Sequence, residues 1–179
     1  MKVGELYSVM CIIFATNFKG AISKENFEKL ASKWIIINEN PENKKGQELW
    51  AGIKNSDYEA ICADFENLKE AFDMSYFKLI SASEVSVFYE RCRFKKPFAD
   101  LPDTHAANML GLLAMIFKQD TNEKSHNILG EYLTNFIMPS LRGLAGHLQI
   151  NAKSDYYKAF GYFLADFCVV VKNSLGLKI

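Results

Sequence analysis

The sequence predicts an all-α fold, a single-domain irregular bundle of about seven or eight helices over residues 1–179. Apolar residues recur three or four positions apart along almost the whole chain, as a core-facing helix stripe requires. Alternating strand patterns are absent apart from WIII at 34–37, which cannot be distinguished from a helix end. The length of 179 residues suits one well-buried domain, and no linker or internal repeat divides it.

Four helices are predicted in the first half of the chain. The first runs from the N-terminus to about Phe18, and Ser23 caps a second whose stripe reaches Trp34. The polar stretch ENPENKKG at 39–46 is expected to end that second helix. Ser56 or Asp57 begins a third helix. The fourth carries Val85, Phe88, Tyr89 and Cys92.

The second half predicts a helix after Thr104, a polar loop KQDTNEKSHN at 118–127, and then the longest periodic run, from Ile128 to Leu148. Pro139 lies inside this run. Because proline removes a helical hydrogen bond and clashes with the preceding turn, we expect a kink or a break there. Ser154 and Asp155 cap the last helix, which Gly176 ends.

Composition narrows the classes of function. Lys plus Arg number 21, and Asp plus Glu also number 21. The chain therefore lacks the excess of basic residues that is typical of proteins whose main partner is nucleic acid. The four cysteines lie in helical patterns without close pairs, which favours buried thiols in a reducing compartment over a zinc site. Neither a complete leader pattern nor an integral membrane segment is evident. A cytoplasmic protein with no cofactor and no metal is the expectation.

Most catalytic signatures are missing from the sequence. It contains no glycine-rich phosphate loop, no GxSxG elbow and no HExxH. Ser125 and His126 fall in the predicted polar loop, where solvation is a simpler explanation than a nucleophile and its base. His147 lies near a helix end, where an imidazolium meets the negative end of the helix dipole.

The stretch LPDTH at 101–105 stands directly before the strongly apolar AANMLGLLAMIF. Pro102 fits the start of a helix, and Asp103 or Thr104 can accept from the free N–H groups of the first turn. His105 is not explained in this way, because a first-turn histidine gains nothing from the helix dipole. The histidine therefore points to a role outside the helix.

These features, in this order, resemble the TorD/DmsD/NarJ family of redox-enzyme maturation chaperones. The family's acid-proline-acid-acid-histidine motif would be carried by Pro102, Asp103 and His105, before a Leu/Met-rich helix. The stretch YLTNFIMPSL at 132–141 is similar to a second family pattern, with Pro139 in register. Tyr156 and Tyr157 match the tyrosine-bearing start of the last helix. The resemblance covers roughly residues 84–171.

The match is partial. Leu101 and Thr104 replace two motif acids, and Phe136 and Ser140 replace the histidine and tryptophan of the second pattern. The resemblance implies an all-helical cytoplasmic chaperone, with no enzymatic activity, that binds the twin-arginine signal peptide of a molybdenum or iron–sulfur oxidoreductase precursor before export. It also implies a monomer or a domain-swapped dimer.

Such a peptide offers two guanidinium groups and then an apolar segment, so its receptor needs carboxylates beside a hydrophobic groove. We expect the helix after His105 to form the floor of that groove, with His105 orienting the loop or the peptide. The predicted peptide-binding residues are Asp100, Pro102, Asp103, Thr104, His105, Met109 and Leu112.

Two alternatives from other classes remain at this stage. A helical adaptor could bind a mature protein partner through its apolar surface. A small helical hydrolase could use Asp103 and His105 as acid and base, although the neighbouring sequence offers few further polar groups.

Overall fold

The computed structural model describes residues 3–177, which form helices and connecting loops without a strand. This confirms the all-α prediction. The α-helices are α1 Val3–Phe18, α2 Lys24–Glu28, α3 Pro41–Trp50, α4 Tyr58–Leu68, α5 Ala82–Arg91, α6 Ala106–Gln119, α7 Glu123–Tyr132, α8 Met138–Asn151 and α9 Asp155–Ser174. A π-helical turn, Leu133–Ile137, joins α7 to α8 without interruption, so that the α-helices of the described residues form eight continuous runs. Three short 3-10 segments accompany them: Ile53–Asn55, Lys69–Phe72 and Met74–Phe77.

Packing divides the described chain into two compact units. The first comprises residues 3–19 and 72–140, and the second comprises residues 20–71 and 141–177. The single domain predicted over 1–179 stays a prediction.

In the first unit, α1 and α6 pack closely along their lengths. The ring of Tyr7 lies 5.3 Å from that of Phe117. Gly4 has no side chain, and a Cβ atom there would lie 2.7 Å from the carbonyl oxygen of Phe117. The helices can therefore approach to backbone contact, which fixes the face that each presents to the core.

The run from α7 to α8 begins earlier than expected. Residues 123–127, predicted as loop, are helical because Asn122 and Ser125 form a reciprocal capping box. The irregularity expected at Pro139 is present as the π-turn before it, where the Met138 N–H donates to the Leu133 carbonyl. A wider turn accommodates proline without a sharp break.

The second unit is built on the contact of α3 with α9. The indole of Trp34 stacks on the ring of Phe163, with centroids 4.3 Å apart and planes 4° from parallel. A Cβ atom at Gly46 would lie 2.5 Å from Phe163, so the absence of a side chain there makes room for this ring. Aromatic packing is therefore the core of this unit.

The sequence interpretation of residues 23–50 is wrong in two respects. The helix capped by Ser23 ends at Glu28, and Trp34 lies in an irregular segment. ENPENKKG forms most of α3 instead of ending a helix. Its buried residues are Asn43, Gly46 and Trp50, so hydrophobic periodicity could not reveal it. Pro41 at the start of α3 was the available signal.

Two buried carboxylates organise the second unit. Asp64 accepts from the backbone N–H groups of Lys153 and Ser154, at 3.0 and 2.8 Å, where α9 begins. Asp166 accepts from the side-chain amides of Asn38, Asn40 and Asn43 at 2.7 to 3.1 Å. Both carboxylates are therefore fully occupied by donors of the same unit.

Within residues 3–177, no helix combines the length and the apolar character needed to cross a membrane. The four cysteines are free thiols: Cys11 and Cys168 are buried, and Cys62 and Cys92 are half-buried. Burial raises the pKa of the Cys168 thiol to about 12, so this thiol stays protonated at neutral pH.

Candidate functional site

The loop before α6 is shaped by the buried side chain of Asn108. Its amide nitrogen donates to the carbonyls of Phe98, Leu101 and Pro102 at 3.0 to 3.3 Å. Its oxygen accepts from the Phe98 N–H at 3.1 Å. One side chain therefore satisfies four backbone groups of the loop. The sequence interpretation did not single out Asn108, although a polar residue in the middle of an apolar helix is a usable signal.

Asp103 is half-buried, and its carboxylate is engaged by side chains of the protein itself. Its carboxylate accepts from the Ser86 hydroxyl at 2.7 Å and pairs with the Lys96 ammonium at 3.0 Å. The hydrogen bond from Ser86 and the bond and charge of Lys96 lower the pKa of Asp103. The carboxylate stays ionised at neutral pH, and its charge is already balanced.

Thr104 ties the loop to the segment at Asp73. Its hydroxyl donates to the Asp73 carboxylate at 2.6 Å, and the Met74 N–H donates to the Thr104 carbonyl at 2.9 Å. Thr104 is buried, with 3% of its surface exposed. The expectation that Asp103 or Thr104 caps α6 is wrong, since both side chains are engaged elsewhere.

His105 is the residue that caps α6. Its Nδ1 atom accepts from the Ala107 N–H at 3.2 Å, and its carbonyl accepts from the Met109 N–H. This contact fixes the neutral tautomer with the proton on Nε2. Burial lowers the pKa of His105, while the carboxylates of Asp73 and Asp100 act in the opposite direction.

The role inferred for His105 from the sequence is therefore corrected. The histidine stands one position before the first turn, where its ring nitrogen replaces the side-chain oxygen usual at such positions. It is 7% exposed, which leaves little surface for a bound peptide. Its presence is explained by the helix that it starts.

Met109 and Leu112 have no exposed surface. The expectation that they are accessible in a groove is wrong, because their face of α6 packs into the core of the first unit. The Tyr132 hydroxyl also donates to the Met109 carbonyl at 3.0 Å. The accessible face of α6 is a different one, carrying Gly111 and Met115.

Two of the predicted contact residues are exposed at the surface, Asp100 and Pro102. Asp100 lies in the turn that the Leu101 N–H closes onto the Phe98 carbonyl at 3.1 Å. Neither an ion pair nor a hydrogen bond engages its side chain within the part of the chain described. Asp100 is therefore the accessible acid of the loop.

An apolar groove of about 700 Å³ lies beside this loop in the first unit. Its walls are the faces of α1 around Ile12 and of α6 around Gly111 and Met115, together with Pro97 and Phe98. We call it the α1–α6 groove. Ile12 is 54% exposed, and a groove of this volume is in the range that ligand sites occupy.

The charges along the α1–α6 groove are unequal. Phe98 stands at one end, followed in the chain by Asp100, and the Lys19 ammonium lies 5.1 Å from the centre of the Phe98 ring. Lys118 lines the groove near the C-terminal end of α6. The accessible carboxylate is therefore at the end of the groove where α6 begins.

The remaining catalytic candidates have structural roles. The Ser125 hydroxyl donates to the Asn122 carbonyl at 2.8 Å and contacts Asp120 at 3.0 Å, in the first turn of α7 and not in a loop. His126 also contacts Asp120, at 3.2 Å, so the acid lies between hydroxyl and imidazole, and Ser125 and His126 do not act as a nucleophile and its base.

His147 lies in α8 next to Asn151. Burial lowers its pKa, so the ring is neutral at pH 7 and does not supply the cation that the helix-dipole interpretation required. No group of three or more potential ligands that could hold a metal ion occurs among residues 3–177.

Comparison of the chain with protein-family models, with curated proteins and with solved structures found no match.

Proposed function

We propose that this protein is a peptide-binding chaperone for the twin-arginine leader of a redox-enzyme precursor. The apolar part of the leader occupies the α1–α6 groove, and its arginines lie toward Asp100. The observation that supports this most strongly is the open apolar groove beside an accessible carboxylate in one unit. The partial resemblance at Pro102, Asp103 and His105 supports a redox-enzyme precursor as the protein that carries this leader.

The groove supplies most of the affinity in this proposal. Ile12 and Met115 present apolar surface to a ligand, and the flexible thioether of methionine adapts to varied side chains. Gly111 lets Pro97 pack close to α6, since a Cβ atom there would lie 3.3 Å from the Pro97 ring. An extended or helical apolar segment can lie across it without displacing the protein's own atoms.

Asp100 contributes orientation more than affinity. An exposed ion pair is worth about 0–1 kcal/mol, so a single accessible carboxylate cannot hold a leader by itself. Lys118 lies near the other end of the groove and Lys19 lies beside Phe98, so a cation stands at each end and the direction of the peptide depends on Asp100. The other motif residues, Asp103, Thr104 and His105, build the loop that presents Asp100.

The groove is tested with a labelled synthetic peptide of two adjacent arginines followed by ten alternating leucines and alanines. Binding by fluorescence anisotropy is compared for the wild type, Ile12→Glu and Met115→Glu. A carboxylate in the apolar groove is expected to weaken binding at least about tenfold. The matched control is Val87→Glu, which replaces a 63% exposed valine of α5 in the same unit.

The orientation is tested with Asp100→Asn and with a peptide whose arginines are moved to its C-terminus. Asp100→Asn is expected to lower affinity about two- to threefold for the original peptide and to leave the reversed peptide unchanged. Full binding by Ile12→Glu and Met115→Glu would contradict the proposal. Equal binding of both peptide orders by the wild type would contradict the role of Asp100.

The geometry gives the hydrolase alternative no support. The Nδ1 atom of His105 accepts from the Ala107 N–H, and Asp103 is paired with Lys96, so each side chain is engaged with a partner other than the acid–base pair that a hydrolase would use. The adaptor alternative uses the same groove. It predicts retention of a mature partner that lacks a leader, which a pull-down with both forms of the precursor distinguishes.

A further inference from the structure

The chain between α2 and α3 carries the short stretch WIII, whose strand-like pattern has no part in the proposed peptide site. Exposure alternates along it: Trp34 is 5% exposed, Ile35 is 45% exposed and Ile37 is 63% exposed, with Ile36 half-buried between them. Alternation with a period of two is the pattern of a half-buried strand. Two isoleucines thus face water in a segment without a strand beside it.

The inner side of this segment is held firmly by the second unit. The Ile36 carbonyl accepts from the amides of Asn43 and Gln47 at 3.2 and 3.0 Å. The Asn38 N–H donates to the Asn43 oxygen at 3.3 Å, and the Asn38 amide reaches Asp166. The Ile36 carbonyl and the Asn38 N–H, on alternate residues, are therefore used toward the protein.

The intervening residues have no such partners. Across the described ranges, neither the N–H nor the carbonyl of Ile35 or Ile37 makes a hydrogen bond within the protein. We call this the Ile35–Ile37 edge. Backbone groups left open beside exposed β-branched side chains form a template for pairing with another extended chain.

We propose that the Ile35–Ile37 edge binds a second copy of this chain in an antiparallel pairing about a two-fold axis through Ile36. Ile35 of each copy then lies opposite Ile37 of the other. Each of these pairs exchanges two N–H to carbonyl bonds, while Ile36 faces its own counterpart without them. All four open groups of each edge are used, and Ile36 keeps its bonds to α3.

The charges around Ile36 match this symmetry. Lys33 stands three residues before Ile36, and Glu39 stands three residues after it. In an antiparallel pairing Lys33 of each copy lies on the same side of the two-fold axis as Glu39 of the other, whereas a parallel pairing would align like charges. Because the chain bends at residues 33, 35 and 39, these charges flank the paired residues and attract each other without facing directly. Lys33 is exposed and has no ion pair within residues 3–177, and Glu39, which pairs with Lys44, is also exposed.

The pairing is short. The chain bends at Ile35 and again at Glu39, which confines strand pairing to about three residues in each copy. So small a contact falls in the class of weak, reversible interfaces. We expect a dissociation constant on the order of 100 µM, without exchange of a helix between the copies.

Sedimentation velocity between about 10 µM and 1 mM, a range that spans such a constant, tests the dimer. The wild type is expected to shift from monomer to dimer over this range. The double variant Ile35→Lys with Ile37→Lys places like charges opposite each other and should stay monomeric. The control is Ile150→Lys, which replaces an 82% exposed isoleucine of α8 and should dimerise as the wild type does.

Charge reversal tests the register. Lys33→Glu puts two carboxylates on the same side of the two-fold axis and should weaken dimerisation about two- to threefold. Reversing the charges of Lys33, Glu39 and Lys44 together keeps residues 33 and 39 opposite in sign, and it also keeps an ion pair between residues 39 and 44. This triple variant should restore dimerisation to near the wild-type level. Failure of the triple variant to recover would overturn the antiparallel register.

Amide hydrogen exchange of the unmodified chain gives an independent readout. The Ile35 and Ile37 amides should exchange more slowly at 1 mM than at 10 µM, roughly in proportion to the dimer fraction, and the Ile150 amide should not change. A wild type that is monomeric at about 1 mM would overturn the proposal, as would equal effects of the double variant and of Ile150→Lys. Peptide binding in the α1–α6 groove is measured separately and is unaffected by either outcome.

Discussion

The loop at residues 97–105 and the segment at residues 34–40 are both irregular, but they differ in which of their polar groups remain accessible to a partner. Both are irregular chain held by a buried polar side chain, Asn108 in the first unit and Asp166 in the second. The first loop carries two acids and a histidine and uses Asp103 and His105 internally, which leaves Asp100 accessible. The second carries isoleucines yet leaves backbone groups open. Chemistry of the side chains alone therefore does not reveal which surface is available to a partner.

The largest effect is expected from the anchor of the second segment. Asp166→Ala leaves the amides of Asn38, Asn40 and Asn43 without their acceptor, and should lower the free energy of unfolding by about 4 kcal/mol. Urea denaturation followed by circular dichroism measures this. Asp155→Ala, at an exposed position of the same helix, should cost less than about 1 kcal/mol. Similar losses in the two variants would remove Asp166 as the anchor.

Asn108→Ala tests the anchor of the first loop. Four backbone groups lose their partner, but some reach water when the loop relaxes, so we expect a loss of about 3 kcal/mol. The control is Asn135→Ala, an exposed asparagine of the same unit, which should stay within about 0.5 kcal/mol of the wild type. If the two variants unfold at the same urea concentration, the loop does not depend on Asn108.

The smallest effect concerns the cap of α6. His105→Ala should cost about 1 kcal/mol at pH 7.5, whereas His105→Asn, with a side chain well suited to capping, should cost less. Because the folded pKa of His105 is lowered, its contribution is complete above about pH 6.5 and declines as the pH falls below that value, where the unfolded chain binds more protons.

Urea midpoints at pH 7.5 and 5.5 check this pH dependence. The wild type should lose more stability between these values than His105→Asn does, since the carboxylates titrate in both proteins. An equal loss in both would mean that His105 does not contribute to the pH dependence.

Helices with an apolar stripe and a strong cap were predictable from the sequence. Asp57 and Ser154 begin helices as their positions indicated. The helix α3 was missed because its buried face is carried by Asn43 and Gly46, which only the packing of α9 explains. Pro41 was the one local signal for this helix, and no local pattern could reveal its buried face.

The candidate site was predictable only in part. LPDTH does mark the start of α6, and Asp100 is accessible. The side chains of Asp103 and Thr104, however, bind Ser86 and Asp73, which are distant in the sequence, so these contacts could not be predicted. The buried face of α6 could not be predicted either, because it is determined by the packing of α6 against α1. A histidine is a rare helix cap, so local preference argued against the role that His105 has.

Trp34 and Trp50, whose rings lie 5.7 Å apart, are the two tryptophans of the chain, and both belong to the second unit. Their intrinsic fluorescence is an optical reporter confined to that half of the molecule. Emission therefore follows the melting of the aromatic core around Phe163, while far-ultraviolet signals average over every helix. Comparing the two curves in one titration resolves the order in which the halves come apart.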